Sequence, residues 1–130
     1  MIKFAYTIFY VKDVEASLRF YETAFGFTRK FISPDEQYGE LVTGETTLSF
    51  AATSLAKSNL EKGFTESSLT EKPFAIEIGF TTTDVEKTVK TAVKAGAQLL
   101  EKAKIKPWGQ TVAYVRDPEG FLIEICTPMN

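Results

Sequence analysis

Hydrophobic and polar positions follow the same order twice along the chain. Residues 4–11 (FAYTIFYV) and 74–81 (FAIEIGFT) are rich in aromatic and β-branched side chains, which is typical of strands. Each run is followed by apolar residues at helical spacing and then by three more strand-like runs. These further strands are predicted at residues 27–32, 37–43 and 46–52 in the first half and at 98–105, 110–116 and 121–127 in the second. The pattern predicts two β-α-β-β-β modules.

The ends of the two predicted helices support this repeat. Asp13 and Asp84 precede the helical stretches, and each aspartate is followed by Val-Glu. Gly26 and Gly96 follow the stretches. Aspartate is a favoured N-cap residue, and glycine commonly ends a helix. The two aspartates are 71 residues apart, which indicates an internal duplication of one module.

The repeat divides the 130 residues into two modules of one domain. Module one covers about residues 1–53 and module two about residues 73–130. The polar stretch at about 54–72 predicts a short helix and a linker between them. We therefore expect an α+β fold in which two tandem βαβββ modules pair their sheets into one curved surface.

The most informative residue of the chain is Glu124, near the carboxyl end. It lies in the strand-like run FLIEICT, which follows a DPEG turn. The residues around this carboxylate are apolar, so the backbone there should be well buried. A carboxylate in such a setting is unfavourable unless it is paired, protonated or bound to something. Either Glu124 points into a cavity or the prediction of a strand here is wrong.

Charge and composition exclude several partners. The net charge is −2 and no basic cluster stands out, so we expect no nucleic acid partner. No apolar run reaches the length of a membrane span, and the N-terminus enters a strand pattern rather than a secretion signal. The single cysteine, Cys126, fits a reducing cytoplasm, where we expect it to be a buried small hydrophobe.

The chain contains no histidine, and this constrains its chemistry most. A Ser-His-Asp or Cys-His catalytic system, a histidine general base and any histidine-ligated metal site are all excluded. Catalytic candidates are therefore restricted to groups other than histidine.

The motifs in both halves resemble those of the vicinal oxygen chelate superfamily, which includes glyoxalase I, bleomycin-resistance and extradiol dioxygenase proteins. The resemblance rests on DVEASLRFYETAFGF in the first half and on PWG followed by VRDPEGFLIEI in the second. It covers almost the whole chain. It implies eight strands curled into an open half-barrel, with helices on the outer face and the ligand inside. Many members are dimers, so we expect a homodimer.

The same resemblance implies four positions that aim at one ion in metal-dependent members. Counting back seven residues from Asp13 and Asp84 gives Tyr6 and Glu77, and the closing strands give Ser49 and Glu124. The family typically has His or Glu at several of these sites. A Tyr, Ser, Glu, Glu set lacks the imidazoles that favour Zn²⁺, Ni²⁺ or Fe²⁺. We therefore predict no metal and no other cofactor; the alternative is an oxygen-only site for Mg²⁺, Mn²⁺ or Ca²⁺.

Strand alternation sorts the neighbouring side chains between the two sheet faces. One face holds the candidate site residues and their strand neighbours, and the other packs against helices. The predicted site face carries Tyr6, Ile8, Tyr10, Glu77, Gly79, Thr81, Leu122, Glu124 and Cys126. The predicted helix face carries Thr7, Phe9, Val11, Ile76, Ile78, Phe80, Phe121, Ile123 and Ile125.

Two acids aimed into a water-poor cup raise the pKa of at least one of them. They can share a proton, form a structural salt bridge with Arg116 or Lys104, or bind a cationic ligand. Aromatic residues predicted nearby would stack on such a ligand and make cation–π contacts. The predicted ligand-binding residues are Tyr6, Tyr10, Ser49, Glu77, Trp108, Tyr114 and Glu124.

Three functions follow from these observations. The first is a metal-independent small-molecule binding protein of the bleomycin-resistance type, which sequesters an aromatic ligand that can carry positive charge. The second is a glyoxalase- or dioxygenase-like enzyme with an oxygen-only metal site. The third is a metal-free isomerase or lyase in which Glu77 or Glu124 is the general base. We favour the first, and the identity of the ligand is not readable from the sequence.

Overall fold

The computed structural model describes residues 1–129, which form two four-stranded mixed sheets and three helices in an α+β fold. Neither sheet closes into a barrel. The elements of the first half are β1 (Tyr6–Val11), α1 (Val14–Phe25), β2 (Thr28–Ile32), β3 (Tyr38–Val42), β4 (Thr47–Ala52) and α2 (Thr53–Asn59). The elements of the second half are β5 (Ile78–Thr81), α3 (Val85–Ala95), β6 (Gln98–Ile105), β7 (Thr111–Arg116) and β8 (Leu122–Cys126).

The predicted helix ends are confirmed. The Asp13 carboxylate accepts a hydrogen bond from the backbone N–H of Ala16 at 3.0 Å, and the Asp84 carboxylate accepts one from Lys87 at 3.1 Å. These bonds satisfy donors that a helix N-terminus would otherwise leave unpaired. Gly26 ends α1 in the left-handed conformation, with a φ of 73°. The repeated Asp-Val-Glu motif therefore begins a helix in both halves.

The chain folds as two compact units, each with one sheet. The first, called unit 1, contains Met1–Glu22 and Gly26–Glu66. Its strand order is β1-β4-β3-β2, in which β1 and β4 are parallel and the other pairs are antiparallel. Its core includes the fully buried side chains of Leu18, Leu41 and Phe50. The fold therefore packs one face of this sheet under α1.

The second unit, called unit 2, contains Thr23–Phe25 and the residues from Ser67 onward. Its strand order is β5-β8-β7-β6, with β5 parallel to β8 and the other pairs antiparallel. Its core includes the fully buried Ala92 of α3, Val115 of β7 and Ile123 of β8. Unit 2 thus repeats the strand order of unit 1, which is the result expected from a duplicated module.

Two of the predicted strands begin later than the sequence suggested. We expected strands at 4–11 and 74–81, but β1 begins at Tyr6 and β5 begins at Ile78. The parallel partner strands explain both differences, because β4 begins at Thr47, opposite Tyr6, and β8 begins only after the DPEG turn. Among the described residues, 1–129, those before these two points pair with no strand. Ile76, predicted to be in the core, is instead 64% exposed.

Elsewhere the predicted alternation is confirmed. In β1, Phe9 and Val11 are buried, whereas Tyr6 and Ile8 are exposed. In β8, Ile123 and Ile125 are completely buried and Glu124 is half-buried. Cys126 is also buried, as expected for a small hydrophobe. Each sheet therefore has one face committed to the core and one face free to carry polar groups.

The DPEG turn is held together by the buried Asp117. Its carboxylate accepts hydrogen bonds from the backbone N–H groups of Glu119 at 3.0 Å and Phe121 at 2.9 Å. The Asp117 N–H also bonds the Phe121 carbonyl at 2.9 Å. These bonds fix the reversal of direction between β7 and β8. They therefore set the register that places Glu124 opposite its neighbours on β7.

Arg116 connects this turn to the segment that enters unit 2. Its buried guanidinium donates to the carbonyls of Gly120 at 2.8 Å, Glu71 at 2.7 Å and Ser68 at 2.9 Å. A buried guanidinium is tolerated only when its donors are satisfied, and three carbonyls do so here. The turn, the Arg116 side chain and residues 68–71 therefore form one interlocked element.

None of the helices within residues 1–129 has the length and hydropathy needed to cross a membrane.

We expect Gly120→Ala to destabilise unit 2 by about 2–4 kcal/mol, because it combines backbone strain with a steric clash. Gly120 has a φ of 100°, and a Cβ there would lie 2.8 Å from Ser67 Oγ and 2.9 Å from Arg116 Nη2. Gly44 has a φ of 98° but no atom within 4 Å of the corresponding Cβ. Gly44→Ala is therefore a matched control for strain alone. Urea unfolding of both variants measures the difference, and equal losses would show that the contacts around Gly120 are unimportant.

Candidate functional site

The free face of the unit 2 sheet brings together Glu77, Tyr114 and Glu124. Tyr114 of β7 lies directly opposite Glu124 of β8, and its hydroxyl donates to Glu124 Oε1 at 3.0 Å. On the other side, Glu124 is paired with Gly79 of β5. A Cβ at Gly79 would have no atom within 4 Å, so no side chain from β5 covers the carboxylate at this point. Glu77 lies two residues earlier, immediately before β5.

The two carboxylates are electrostatically coupled. Partial burial raises the pKa of Glu77 above its ordinary value, and the charge of Glu124 raises it further. The carboxyl groups are also close enough for one to hydrogen-bond the other when a proton is shared, which acts in the same direction. Glu77 has this raised pKa although its side chain is exposed. The pair therefore favours either a shared proton or an external positive charge.

The neighbouring titratable groups respond to the same negative charges. Burial raises the pKa of Tyr114 to about 12, and the hydrogen bond to Glu124 acts in the same direction. Burial also raises the pKa of the Cys126 thiol to about 11, again with a contribution from Glu124. Both groups are therefore neutral near pH 7. Cys126 is an unreactive thiol here, because the thiolate is the nucleophilic form.

A structural salt bridge was one of the predicted roles for these carboxylates, and this prediction is wrong. Within residues 1–129, no Lys or Arg nitrogen lies within 4.0 Å of either Glu77 or Glu124. Arg116 is engaged by three backbone carbonyls, and Lys104 pairs with Glu101 at 3.8 Å. The two acids thus lie together without a paired cationic side chain from the described part of the chain, residues 1–129.

Trp108 is placed at the end of the β6–β7 hairpin. Its side chain is exposed, and its indole N–H donates to Gln110 Oε1 at 2.7 Å. The Gln110 amide in turn donates to the Thr127 carbonyl at 2.8 Å and interacts with the Cys126 thiol. Gln110 was not among the predicted site residues. Gln110 lies four residues before Tyr114, and residues an even number apart in a strand share a face. This spacing could have identified Gln110 from the sequence.

The three predicted site residues of unit 1 lie on the parallel strands β1 and β4. Tyr6 is 52% exposed at the start of β1, and Tyr10 packs edge-on against Phe64 with ring centroids 4.8 Å apart. Ser49 is paired with Ile8 and is completely buried. Its hydroxyl makes no hydrogen bond with any of residues 1–129. Tyr6 and Tyr10 therefore present aromatic surface, whereas Ser49 holds an unsatisfied polar group.

Unit 1 also contains a tyrosine–glutamate pair that the sequence reasoning missed. The Tyr38 hydroxyl donates to Glu40 Oε2 at 2.7 Å, and Lys30 Nζ lies 3.7 Å from Glu40 Oε1. Burial raises the pKa of Tyr38 to about 12, opposed by the nearby Ser49 hydroxyl. The alternation in QYGELVT was the available signal, because it places Tyr38 and Glu40 on one face.

The strand registers show which residues of the two sheets occupy equivalent places. Glu40 of β3 lies opposite Ser49 of β4, just as Tyr114 of β7 lies opposite Glu124 of β8. The predicted equivalence of Ser49 and Glu124 is therefore visible in the strand pairing. The two tyrosine–carboxylate hydrogen bonds are built differently, because one joins two residues of β3 and the other joins β7 to β8.

The donor groups do not fit the metal that the resemblance implies. Among residues 1–129 there is no group of three or more Cys, Asp or Glu side chains able to hold an ion. The Glu77–Glu124 pair is accompanied by a phenol and a thiol that are both protonated near pH 7. Ligand atoms must be deprotonated to bind a metal well. The chemistry available on this face is carboxylate chemistry, namely binding a cation or accepting a proton.

Comparison with solved structures places the fold among glyoxalase-related proteins. A glyoxalase-related enzyme from Fulvimarina pelagi matches with a TM-score of 0.85 and 24% identity, covering 98% of this chain and 89% of that one. A glyoxalase/bleomycin resistance protein/dioxygenase family enzyme from Burkholderia phytofirmans PsJN matches with a TM-score of 0.81 and 25% identity. The second match covers 98% of this chain and all of the other. The likeness therefore extends over both units.

Among curated proteins, the lactoylglutathione lyase GLX1 of Arabidopsis thaliana is 27% identical over 136 residues. The match covers 95% of this chain but only 43% of the plant protein, so the chain spans less than half the length of that relative. The sequence also matches the family pattern itself from residue 3 to residue 125. The chain is thus a member of the Glyoxalase/Bleomycin resistance protein/Dioxygenase superfamily.

Proposed function

We propose that the protein is a metal-independent small-molecule binding protein, and that Glu77 and Glu124 receive a positively charged group of an aromatic ligand. The observation that carries this proposal is the absence, within residues 1–129, of a cationic side chain paired with either acid. Two coupled carboxylates without a counter-ion lose their mutual repulsion when a cation binds between them.

The surroundings of the pair suit such a ligand. Tyr114 fixes one oxygen of Glu124, and the missing side chain at Gly79 leaves the carboxylate accessible from the β5 side. Aromatic faces attract cations, and the effect is larger where water is partly excluded. Tyr114 is half-buried beside the acids and provides that surface within unit 2. Trp108 of the same unit remains a proposed ligand contact, and Tyr6, Tyr10 and Ser49 remain proposed ligand contacts for unit 1 by itself.

Affinity in this proposal comes from two sources, namely charge neutralisation and apolar contact. A bound cation would stabilise the ionised form of Glu77 and so lower its raised pKa. No bond is made or broken. Sequestration of this kind is the role that the resemblance to bleomycin-resistance proteins implies, and fold membership by itself does not distinguish it from catalysis.

A second candidate is a metal-free lyase or isomerase with Glu77 as general base. The raised pKa of Glu77 favours it, because a base works best when its pKa approaches the working pH. The name of the Arabidopsis relative points to a lyase, although at 27% identity and over 43% of its length. Incorporation of deuterium into a bound compound in D₂O, lost in Glu77→Gln, would select this candidate over sequestration.

A glyoxalase- or dioxygenase-like metal enzyme is the less supported alternative. Its mechanism needs a resident ion, and the donor groups described above do not fit one. The proposed homodimer and the proposed cytoplasmic location are independent of this choice. The homodimer rests on the resemblance, and the cytoplasmic location rests on the single cysteine, Cys126.

We expect Glu124→Gln to weaken binding of an aromatic quaternary ammonium probe by about 1–3 kcal/mol, because it removes a charge-assisted contact. Benzyltrimethylammonium is a suitable probe, and isothermal titration calorimetry measures the change. Glu86→Gln is the matched control, since Glu86 is an exposed carboxylate on α3 and not on this sheet face. Equal affinity in wild type and Glu124→Gln would show that Glu124 is not a ligand contact.

We expect Glu77→Gln to become more stable relative to wild type as the pH rises. The folded-state pKa of Glu77 lies above its ordinary value of 4.5. The folded state therefore holds this proton more tightly, and its stabilising effect is complete below about pH 4.5 and lost as pH rises through the raised pKa. Urea unfolding from about pH 4 to about pH 8 measures the difference. A constant difference between the two proteins would contradict the raised pKa.

We expect Mn²⁺, Mg²⁺, Ni²⁺ and Zn²⁺ to leave the thermal unfolding temperature unchanged at micromolar concentrations, since the acids provide too few ligands. Protein purified without chelator should likewise contain no stoichiometric metal by elemental analysis. A saturable increase of several degrees in the unfolding temperature with one of these ions would support the metal enzyme instead of the metal-independent binding protein.

A further inference from the structure

We propose that Gln110 is a positioning residue, which fixes the direction of the Trp108 ring and so gives the unit 2 site its preference for ligands that carry an aromatic ring beside the cation. This role rests on the function proposed above, because it takes Trp108 to be a ligand contact. Gln110 acts through Trp108 and does not itself have to touch the ligand. Both residues belong to unit 2.

The backbone of Trp108 is fixed by a tight turn between β6 and β7. The Gly109 N–H donates to the Lys106 carbonyl at 2.9 Å, and the Lys106 N–H donates to the Gln110 carbonyl at 2.8 Å. Gly109 has a φ of 98°, a left-handed conformation that suits the end of such a turn. These bonds determine where the Trp108 side chain begins. They leave open the direction in which its ring points.

The Gln110 side chain supplies that direction. The Trp108 side chain is 63% exposed, so packing alone does not hold the ring. Its indole N–H donates to Gln110 Oε1 at 2.7 Å, and Gln110 Nε2 donates to the Thr127 carbonyl at 2.8 Å. The acceptor and the donor of one amide are therefore both engaged. A carboxylate has no donor for Thr127, so only an amide makes the two bonds at once.

Thr127 is a firm anchor for this amide. Its N–H donates to the Thr111 carbonyl at 3.0 Å, and its Oγ1 accepts a hydrogen bond from the Thr111 N–H at 3.0 Å. Thr127 follows β8 directly and lies three residues after Glu124. The Trp108 ring is thus connected through Gln110 to the strand that carries Glu124.

Cys126 lies between Gln110 and the acids on this face. Its thiol interacts with the Gln110 amide and with the Glu124 carboxylate. Cys126 and Glu124 are two residues apart on one face of β8, which is about 7 Å along a strand. A ligand that contacts both Glu124 and Trp108 must extend past Cys126. We therefore expect its ring and its cationic group to be joined by a short spacer.

The motion of the ring tests the role of Gln110 without any ligand. Trp108 is the only tryptophan of the chain, so time-resolved fluorescence anisotropy of the full chain measures its motion directly. In Gln110→Met we expect the amplitude of subnanosecond motion to rise about twofold, because exposed side chains that nothing holds change rotamer on this timescale. Gln98→Met is the matched control, since Gln98 is an exposed residue of β6. Equal anisotropy decays in Gln110→Met and wild type would overturn the inference.

Two probes test the consequence for binding by isothermal titration calorimetry. Tetramethylammonium has no ring, whereas 3-phenylpropyltrimethylammonium carries a ring on a short spacer. We expect Gln110→Met to weaken binding of the phenylpropyl probe by about fivefold and to change the affinity for tetramethylammonium by less than about twofold. A general loss of structure would weaken both probes alike. Equal effects on the two probes, or no effect on either, would overturn the positioning role.

Trp108→Phe checks that Gln110 acts through the indole, since it keeps an aromatic ring and removes the N–H. In this background Gln110→Met should cause no further loss of phenylpropyl binding, because the bond that it removes is already absent. A further fivefold loss would contradict the role. If neither probe binds wild type, the function proposed for unit 2 fails and the role of Gln110 fails with it. If both bind and Gln110→Met does not distinguish them, the role of Gln110 fails alone.

Discussion

One face of each four-stranded sheet forms the apolar core and the other carries the polar side chains, and the candidate chemistry depends on this constraint. Strand alternation places Phe9 and Val11, or Ile123 and Ile125, in the core. The residues between them must then lie on the opposite face. A one-residue shift in register would exchange the two sets and bury Glu124 in the core. The hydrogen bonds of Asp117 and Arg116 in the DPEG turn hold unit 2 in the observed register.

Much of the fold was predictable because its signals are local. The alternation within β1 and β8, the aspartate caps and the glycine ends all depend on residues close together in the chain. The starting points of β1 and β5 were not predictable in this way. They depend on where the parallel partner strands β4 and β8 begin, and those partners are more than 40 residues away in sequence. Strand propensity alone therefore predicts that both strands begin earlier in the chain than they do, and the prediction that Ile76 lies in the core is wrong.

The candidate site was predictable to a lesser degree. Proximity of Glu77, Tyr114 and Glu124 follows from the repeat and from the alternation, both of which the sequence carries. The absence of a salt bridge does not follow, because it depends on Arg116 being taken up by carbonyls of a distant segment. The Tyr38–Glu40 pair was missed for another reason. The spacing of Tyr38 and Glu40 was visible in the sequence. The site residues, however, were predicted from the family's metal positions, which include Ser49 on the neighbouring strand and neither residue of this pair.

The anchoring of residues 68–71 by Arg116 has a consequence for the chain as a whole. Phe64 packs on Tyr10 of unit 1, and Ser68 is bonded to Arg116 of unit 2, so only residues 65–67 separate these two contacts. A tether this short keeps two linked modules at a local concentration of about millimolar or higher. Arg116 thus shortens the flexible connection between the duplicated halves. A side chain that belongs to a turn therefore also reduces the conformational entropy that the chain loses when the two halves fold.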